Sequence, residues 1–458
     1  MSAEETIHEK ARDIPVYAKC DVLVVGGGPA GCAAAASAAE MGADTLLVER
    51  YGCLGGMSTA GLVVWIDRMT DWMGKQVISG FANDLLGRLP ENAVVGPGKD
   101  IWGSKDKELV AYWKVRSNAF HDTVTWSPTV DPELFKIAYF NIAQDNGAKL
   151  LLHSWAVDVV KEGENIRGVV FESKSGRQAI LAKAVIDTTG DGDIFAFAGS
   201  QFDTDPVQAG PDDEVNTDFV VPAKVHNYTN LAFLVGDVNM ERYLLFRREN
   251  AKEYGEILER GKELTLFEKG HITPRNSTCL FMGPKSGGYN CLDVKDLTEV
   301  EIVSRRRMMK CLEFFKDNMP GFEDAWIMGT ASQVGTRHSR RLRGVKSMDS
   351  DGWRRGMIHD DEIGVVPPPS PKYPNVSVPL GCLIPSSVDN LLVAGRNLSC
   401  DAVTHSFMRE IPVCWLTGQA AGVTAAVALN SGVDIRAADV SEVQRQLTRQ
   451  GTVLSSPR

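Results

Sequence analysis

The sequence has 458 residues, 43% of them hydrophobic and 24% charged, which is typical of a globular protein long enough for two or more folding units. Its formal net charge of −10 excludes the broadly basic surface that general nucleic-acid binding requires. Residues 1–13 are polar and no run of about eighteen apolar residues occurs, so we expect no secretory signal, no membrane span and a cytoplasmic location.

A glycine-rich turn lies between the first predicted strand and the first predicted helix. Residues 20–25 form a short apolar, β-branched run that is typical of a buried parallel strand, and the alanine-rich residues 32–41 predict a tightly packed helix. A second strand is predicted over residues 44–48 and ends at Glu49. The turn carries a G-x-G-x-x-G pattern made by Gly26, Gly28 and Gly31, with Pro29 and Ala30 between the last two glycines.

This succession of strand, turn, helix and acid predicts a dinucleotide site. Gly26 permits the sharp turn, Gly28 lets the backbone approach a pyrophosphate, and Gly31 lets the helix lie close to the sheet. The free N–H groups at the helix N-terminus hold the phosphate charge. Glu49 is placed to accept hydrogen bonds from a ribose, and an acid there disfavours a 2′-phosphate, so the ligand is FAD or NAD rather than NADP.

A second glycine-rich loop, residues 52–59, follows almost at once. In NAD dehydrogenases a plain helix usually begins at this point, whereas a loop keeps backbone close to a large planar cofactor. The loop therefore favours FAD. The residues here that we expect at the cofactor are Arg50, Gly55, Gly56, Met57 and Ser58.

The middle of the chain is predicted to return to the same site. Asp131 is a candidate N-cap and Pro132 occupies the first position of a helix that ends near residue 146. The strands predicted after it cover residues 148–152, 156–160, 168–172, 178–182 and 184–186. The last strand runs into residues 187–193, which resemble a segment of two-dinucleotide flavoproteins that passes beneath the nucleotide. That resemblance implies contacts from Thr189, Gly190 and Asp191.

No metal site is predicted. Asp191 and Asp193 lack the further spaced acid and the glutamate of a calcium loop. The nine cysteines contain no Cys-x-x-Cys pair, so we expect reduced thiols that pack in the core rather than a zinc or iron–sulfur site.

Another strand and glycine turn are predicted at residues 390–397, followed by a helix that reaches about residue 429. In FAD proteins of this architecture the late turn binds the ribityl chain or pyrophosphate. The N-terminus of the late helix points at the N1–C2=O edge of the flavin and stabilises its reduced form. The resemblance implies cofactor contacts from Gly395, Arg396, Gly418, Gln419 and Ala420.

With these segments in place the chain resembles the FAD-dependent oxidoreductase family, which is grouped with fumarate-reductase-like flavoproteins. The resemblance runs from about residue 21 to residue 429 and implies bound FAD and two-electron redox chemistry. Two departures prevent the substrate from being carried over. Family members often have Glu where His338 stands, and His405 is offset within residues 401–408 from the expected histidine.

The predicted fold class is α/β, with a discontinuous Rossmann-like FAD domain and an inserted α+β substrate or cap domain. The FAD domain is assigned to residues 15–67, 130–200 and 375–440, the inserted domain to 68–129 and 201–374, and a C-terminal tail to 441–458. Within the insert we predict a strand over 230–234, a helix over 300–316 and a stiff proline-rich return loop over 367–371.

Several side chains are candidates for the substrate side. His405 and Arg409 stand just before the late helix, so we predict that they are the catalytic residues, with His405 as acid or base. The basic cluster of Arg337, Arg340, Arg341 and Arg343 is interpreted either as a carboxylate clamp or as structural ion pairs. The weaker candidates are His121, His338 and Cys53.

The function hypothesis is hydride transfer between a carbon of a small-molecule substrate and flavin N5. The electron partner is left open among oxygen, a quinone, a carrier protein and a nicotinamide, as are the direction of the reaction and homo-oligomerisation. The alternatives are an NAD-dependent dehydrogenase, an electron-transfer subunit of a larger complex and a tRNA-modifying flavoprotein. The acidic net charge disfavours the last.

Overall fold

The computed structural model describes residues 6–204, 229–262 and 269–455. The helices in these ranges are α1 (Pro29–Glu40), α2 (Phe81–Gly87), α3 (Lys107–Lys114), α4 (Pro132–Asp145), α5 (Asp193–Phe197), α6 (Met240–Glu249), α7 (Ala251–Lys262), α8 (Val294–Asn318), α9 (Ser350–Arg354), α10 (Ala402–Met408), α11 (Ile411–Ser431) and α12 (Val440–Arg449).

The strands in the same ranges are mostly short outside the central sheet. They are β1 (Val16–Val25), β2 (Thr45–Val48), β3 (Val94–Val95), β4 (Ala119–Phe120), β5 (Thr123–Val124), β6 (Thr129–Val130), β7 (Lys149–Leu151), β8 (Trp155–Glu162), β9 (Asn165–Ser173), β10 (Gly176–Asp187), β11 (Phe202–Asp203), β12 (Thr229–Asn230), β13 (Phe233–Gly236), β14 (Cys279–Phe281), β15 (Lys285–Ser286), β16 (Trp326–Thr330), β17 (Gly335–Thr336), β18 (Arg341–Leu342), β19 (Glu362–Val366), β20 (Val376–Pro379) and β21 (Leu391–Val393).

The central sheet has seven strands, and β1 lies in its middle. Strands β7, β2, β1 and β10 are parallel neighbours in that order. The outer edge of β10 is shared, because its first half pairs with antiparallel β9 and its last residues pair with parallel β21. Antiparallel β8 then extends the sheet from β9. The predicted α/β class and parallel sheet are confirmed, and the two strands predicted over 178–182 and 184–186 are one continuous strand.

Alternating side chains of the sheet enter two separate cores. Val22 and Val24 of β1 pack on the side that carries α1, α4 and α11. Leu23 and Val25 point the other way, into a core shared with β8, β9 and α5. This two-sided burial explains why residues 20–25 are a continuous apolar run rather than an alternating one.

Helices α1 and α11 pack with their backbones in close contact. A Cβ at Gly418 would lie 2.1 Å from the carbonyl oxygen of Ala30, and one at Gly422 would lie 2.3 Å from that of Ala34. Only glycine at these two positions, one turn apart, allows the helix backbones to touch. The α1 residues from Ala30 to Ala38 are all buried, which is the tight packing predicted for the helix.

The N-cap prediction for α4 is confirmed. The Asp131 carboxylate accepts hydrogen bonds from the N–H groups of Glu133 and Leu134 at 3.0 and 3.1 Å, and Pro132 is the first helical residue.

The predicted strand over 230–234 differs from the structure, since β12 and β13 are separate strands in two small sheets. The helix predicted over 300–316 is the central part of the longer α8, which an Asp293 side chain caps.

The proline-rich return loop is anchored inside the protein rather than standing apart. The Pro368 carbonyl accepts hydrogen bonds from Arg68 Nη2 at 2.8 Å and from Trp72 Nε1 at 3.1 Å, and the Arg68 guanidinium lies over the Trp72 ring. Residues 367–370 are buried. The two inserts predicted over 68–129 and 201–374 are therefore tied to each other through this loop.

Most of helix α12 lies within the region that was predicted to be a C-terminal tail. Helix α12 buries Val443 and Leu447, and Gln444 Nε2 donates to the carbonyls of Asp360 and Glu362 at 3.0 Å each. These bonds fasten α12 to β19 and the segment before it.

Helix α11 ends at Ser431, close to the predicted end near residue 429. It is the one helix in the described part of the chain that is long and apolar enough to cross a membrane, and its most apolar window is completely buried inside the protein. It lies on the central sheet against α1, as the core helix of the fold.

We expect Gly422→Ala to lower the free energy of unfolding by about 2–3 kcal/mol, because the added methyl group would push α11 away from α1. Urea unfolding of the FAD-saturated protein measures this change. Gly255→Ala is the matched control: it is also a helical glycine, but a Cβ there meets no atom within 4 Å. That variant should gain about 0.5–1 kcal/mol, and equal behaviour of the two variants would contradict the packing argument.

Candidate functional site

One cavity opens at the carboxyl ends of the parallel strands. Its lining includes the residues that leave β1, β2, β10 and β21, namely Gly26, Glu49, Thr188, Thr189, Ala394 and Gly395. A crevice at this edge of an open parallel sheet is where α/β proteins of this kind bind their ligands.

The same cavity continues into the insert. Asn230, Met282 and residues 333–337 line it together with the strand ends. The small sheet β15-β12-β17 brings these residues together, because Asn230 pairs with Lys285 on one side and with Gly335 on the other. Nucleotide-side residues and insert residues therefore share one space.

Most residues predicted for the site lie in this lining. They are Gly26, Gly28, Pro29, Ala30, Glu49, Arg50, Gly56, Met57, Thr189, Gly190, Asp191, Gly395, Arg396 and Arg409.

Gly28 leaves room that a side chain would fill. Its φ of −70° and ψ of −174° are ordinary extended backbone, so no conformational demand requires glycine here. A Cβ on Gly28 would meet no protein atom within 4 Å, although the residue lines the cavity. It also precedes α1, and the first turn of that helix has no side-chain cap. The space and the uncapped N–H groups fit a pyrophosphate.

Gly26 has a different reason to be glycine. Its φ is +104°, and a Cβ there would lie 2.5 Å from the Thr188 carbonyl oxygen. Gly31 is in contact with the same turn, because its Cβ would overlap the Gly26 carbonyl at 1.7 Å. Gly31 does not line the cavity and serves the close helix–sheet packing predicted for it.

Glu49 is held by backbone donors at the end of β2. Its Oε2 accepts from Gly27 N at 2.5 Å and its Oε1 accepts from Tyr51 N at 2.8 Å. Burial raises the pKa of Glu49 above its usual value, while the same N–H groups act in the opposite direction. The carboxylate is thus fixed beside the glycine turn, at the position predicted for a ribose contact.

The turn after β10 is organised by two aspartates. Asp187 accepts from Thr189 N and Phe195 N at 3.0 Å each, and burial raises its pKa to about 6. Asp191 forms an ion pair with Arg396 at 2.7 Å. Burial acts to raise the pKa of Asp191, but Arg396 outweighs it and holds the pKa below the usual value.

The N-terminus of α11 also lies at the cavity. Glu410, Ile411 and Cys414 contribute to the lining, and Glu410 is the N-cap residue without a side-chain cap bond. Arg409 Nη2 lies 3.2 Å from Glu410 Oε1. Burial raises the pKa of Glu410, although the charge of Arg409 opposes it. Sequence reasoning overlooked Glu410 as a cavity residue.

Three residues of α11 that were predicted at the cofactor are placed elsewhere. Gly418 and Ala420 lie in the helix interface and the core. Gln419 accepts from Phe81 N at 3.2 Å and donates to the Gln450 carbonyl at 3.3 Å, which ties α11 to α2 and the end of α12. They lie on the second and third turns of α11, too far along the helix to reach the opening, and the structure gives them packing roles.

Gly55 and Ser58 lie behind the lining as well. Gly55 has a φ of +91° and packs on Tyr139, and Ser58 Oγ donates to the Gly55 carbonyl at 2.7 Å. Gly56 and Met57 of the same loop face the cavity. Four residues of this loop were predicted at the cofactor. Gly56 and Met57 line the cavity, whereas Gly55 and Ser58 stabilise the conformation of the loop.

His405 does not face the cavity, which corrects the prediction that its ring meets the reacting group. The side chain is completely buried. Its Nδ1 lies 2.9 Å from His338 Nδ1, and its Nε2 lies 2.6 Å from the Arg396 carbonyl oxygen. Arg409, the other residue predicted to be catalytic, does line the cavity.

The basic cluster divides into two parts. Arg340 binds Asp193 at 3.0 Å and Arg343 binds Asp203 at 2.6 Å, as structural ion pairs. Arg341 Nε donates to the Cys400 carbonyl at 3.2 Å. Arg337 lines the cavity and so is the member placed for a ligand.

The remaining candidates lie outside the cavity. His121 packs edge-on against Trp72. Cys53 is half-buried, and burial raises the pKa of its thiol, which disfavours a reactive thiolate. Within the three described ranges, no group of three or more His, Cys, Asp or Glu side chains is arranged to hold a metal ion.

Several cavity residues were missed by the sequence argument. Ser154 and Trp155 lie next to Arg50, whose guanidinium is 5.2 Å from the Trp155 ring. They follow β7, and the rule that ligands bind beyond the carboxyl ends of parallel strands would have found them. Gln333 carries a buried Oε1 that has no hydrogen-bond partner among the described residues, so a polar group of a ligand fits there.

The parallel sheet, the uncapped α1 N-terminus and the adjoining acid define a dinucleotide-binding α/β protein. The family model of the FAD dependent oxidoreductases matches residues 21–447. The chain belongs to this family, its cofactor is FAD, and it is an enzyme.

Similarity to individual relatives is partial. The chain is 30% identical over 185 residues to the thiamine thiazole synthase of Methanococcus vannielii, covering 37% of this chain and 56% of that protein. It is 38% identical over 122 residues to the tRNA uridine 5-carboxymethylaminomethyl modification enzyme of Granulibacter bethesdensis, covering 24% of this chain and 18% of that enzyme. Each match spans less than two thirds of the relative.

Among solved structures, a geranylgeranyl bacteriochlorophyll reductase-like protein from Thermoplasma acidophilum aligns with a TM-score of 0.42 and 13% identity, over 94% of this chain and 82% of that one.

We expect Gly28→Ala to fold normally and to weaken FAD binding about tenfold or more, because the methyl group would occupy the space beside the α1 N-terminus. FAD titration of the deflavinated protein measures the Kd, and thermal unfolding without FAD checks the fold. Gly87→Ala is the control, since its added Cβ also meets nothing within 4 Å but lies outside the cavity lining. Unchanged FAD affinity in Gly28→Ala would refute this placement of the pyrophosphate.

Proposed function

We propose that the enzyme transfers two electrons, as a hydride, between a carbon of a small-molecule substrate and N5 of FAD. The observation that carries this proposal is the single cavity that joins Gly28 and Glu49 to Asn230, Gln333 and Arg337 of the insert. A substrate held by the insert residues would share one cavity with the cofactor, as hydride transfer requires.

The chain offers separate groups for the parts of the cofactor. Gly28 and the α1 N-terminus suit the pyrophosphate, Glu49 suits the ribose, and Arg50 with Trp155 lies beside them. At the far end, the α11 N-terminus supplies a positive helix dipole next to Ile411. FAD, when bound, supplies a two-electron acceptor or donor at the flavin ring.

Apolar side chains form part of the cavity lining. They are Val63, Trp65, Met282 and Ile411, and the charged side chain of Arg409 lines the same cavity. Exclusion of water strengthens the interaction of a substrate with the charged groups that remain. This composition supports a small polar substrate rather than a protein or a nucleic acid.

The main alternative is an electron-transfer subunit of a larger complex. In that case a partner, and not a small molecule, would reduce the flavin. The cavity lined by both insert and nucleotide-side residues favours a small-molecule substrate. We also propose a cytoplasmic location, because all nine cysteines are free thiols, which is typical of a reducing compartment.

An anaerobic reduction screen tests the proposal. The purified protein is mixed with candidate hydroxy acids, amines, alcohols and nicotinamides while the visible absorption of the oxidised flavin is followed. We expect one class of donor to bleach the flavin. A yellow protein that no donor bleaches would favour the electron-transfer alternative.

For the donor that bleaches the flavin, we expect Arg409→Met to slow the reduction by about 10- to 100-fold, because a hydrogen bond from a charged, largely buried side chain contributes about 1.5–3 kcal/mol. Arg409→Lys should recover part of the rate. Arg445→Met, on the exposed face of α12, is the control and should leave the rate unchanged. Equal rates in Arg409→Met and the wild type would remove Arg409 from the substrate site.

A further inference from the structure

Glu410 lines the cavity at the start of α11, and its carboxylate does not cap that helix. The Glu410 backbone behaves as an ordinary N-cap, because its carbonyl accepts from Cys414 N at 3.0 Å. At every other acidic N-cap of an α-helix in the described ranges, the side chain accepts hydrogen bonds from the first turn. These residues are Asp106, Asp131, Asp293, Asp349, Asp401 and Asp439.

The Glu410 carboxylate instead contacts the residue before it. Its Oε1 lies 3.2 Å from Arg409 Nη2, and the side chains of Glu410 and Arg409 are 24% and 14% exposed. Both residues belong to the cavity lining. A mostly buried ion pair with a carboxylate that is not engaged in helix capping therefore lies at the wall of the cavity.

Three other carboxylates line the same cavity, and different groups hold each of them. Glu49 accepts from two backbone N–H groups at the end of β2. Asp191 and Asp193 belong to the turn after β10 and form ion pairs with arginines at 2.7 and 3.0 Å. Of the four carboxylates, Glu410 is the one at the N-terminus of α11. This is the end of the cavity that the proposed function gives to the flavin ring.

Charged and titratable groups surround the Glu410 carboxyl from three parts of the chain. They are Arg409 and the thiol of Cys414 near the start of α11, Asp67 and Arg68 in the first insert, and Arg337 after β17. Burial raises the pKa of Glu410, and Asp67 acts in the same direction, whereas the three arginines oppose them. The carboxyl group therefore binds a proton more readily than an exposed glutamate does.

Resting on the proposed function, we propose that Glu410 is the base that removes a proton from a hydroxyl or amino group of the substrate while a hydride leaves the adjacent carbon. The C–H bond and the O–H or N–H bond break, and a C=O or C=N double bond forms. The substrate loses two electrons to FAD, and its proton passes to Glu410. In the opposite direction the protonated Glu410 returns the proton. The completely buried His405 is not available for this role.

Stopped-flow reduction of the FAD-loaded protein, with the donor found in the anaerobic screen, tests this assignment. We expect Glu410→Gln to slow flavin reduction by about 10²- to 10⁴-fold, the range that a positioned base contributes. The Kd of the donor, from the concentration dependence of the rate, and the Kd of FAD should stay as in the wild type. Glu442→Gln on α12, outside the cavity lining, is the control and should reduce at the wild-type rate.

The pH dependence of the same reaction distinguishes a base from a structural ion pair. The wild-type rate should rise with pH and level off above the pKa of Glu410, because only the ionised carboxylate accepts a proton. Since that pKa is raised, the rise should lie at higher pH than the titration of an ordinary glutamate. Glu410→Gln should lose this rise.

Chemical rescue separates a missing base from a damaged site. Glu410→Ala leaves a space the size of a carboxylate beside the Arg409 guanidinium, which suits a small carboxylate. We expect added formate to speed flavin reduction in Glu410→Ala and to leave Glu410→Gln unchanged, because the glutamine amide still fills the space. Chloride at the same ionic strength is the control and should not rescue either variant.

Infrared difference spectroscopy follows the proton itself. Reduction by the donor should produce the carbonyl stretch of a protonated carboxyl group, which shifts in D₂O and on carbon-13 labelling of glutamate. The band should be absent from Glu410→Gln. The labelling assigns the band to a glutamate in the unaltered protein, so the measurement remains decisive even if a substitution weakens folding.

Three results would overturn the inference: equal reduction rates in Glu410→Gln and the wild type, the same pH dependence in both, or no glutamic-acid band on reduction of the wild type. Any of them, with normal bleaching of the wild-type flavin, would count against Glu410 and leave the proposed function standing. Absence of bleaching by every donor would overturn the proposed function, and this inference with it.

Discussion

The contact between α1 and α11 is the constraint on which the site depends. Gly418 and Gly422 let the backbone of α11 rest on the carbonyl oxygens of Ala30 and Ala34. Because the two helices touch along their length, both N-termini open on the same cavity at the edge of the sheet. One N-terminus is suited to a phosphate and the other to the electron-rich edge of a flavin. A side chain at either glycine would move one N-terminus away from the other.

Charge divides the cavity into two ends. At the nucleotide end Glu49 is a buried carboxylate whose oxygens are held by backbone N–H groups. At the other end the wall carries Arg337, Arg396 and Arg409. Asp191 forms an ion pair with Arg396, which holds the pKa of this carboxyl below its usual value although burial opposes it. The cavity lining therefore carries a buried carboxylate on the nucleotide side and guanidinium groups elsewhere.

Residues whose roles depend on neighbours in the chain could be predicted. The N-cap at Asp131 and the space at Gly28 follow from local geometry, and both are present in the structure. The roles of Gly418 and His405 could not be predicted in this way. Gly418 faces a helix almost 400 positions away in the sequence, and His405 is defined by His338 and by a carbonyl of another loop. Helix periodicity does not say which face of α11 meets α1 and which residue meets the cavity.

The amino-acid sequence by itself determined the α/β class, the glycine turn with its acid, and the choice of FAD, because these follow from patterns within some forty residues. Only the tertiary structure decided which candidates line the cavity. It placed Glu410, Trp155 and Gln333 there and showed that His405 is buried and in contact with His338. The physical reason is that the position of a side chain at the cavity depends on how separate elements pack, and packing brings together residues whose spacing in the chain carries no information about their distance in space.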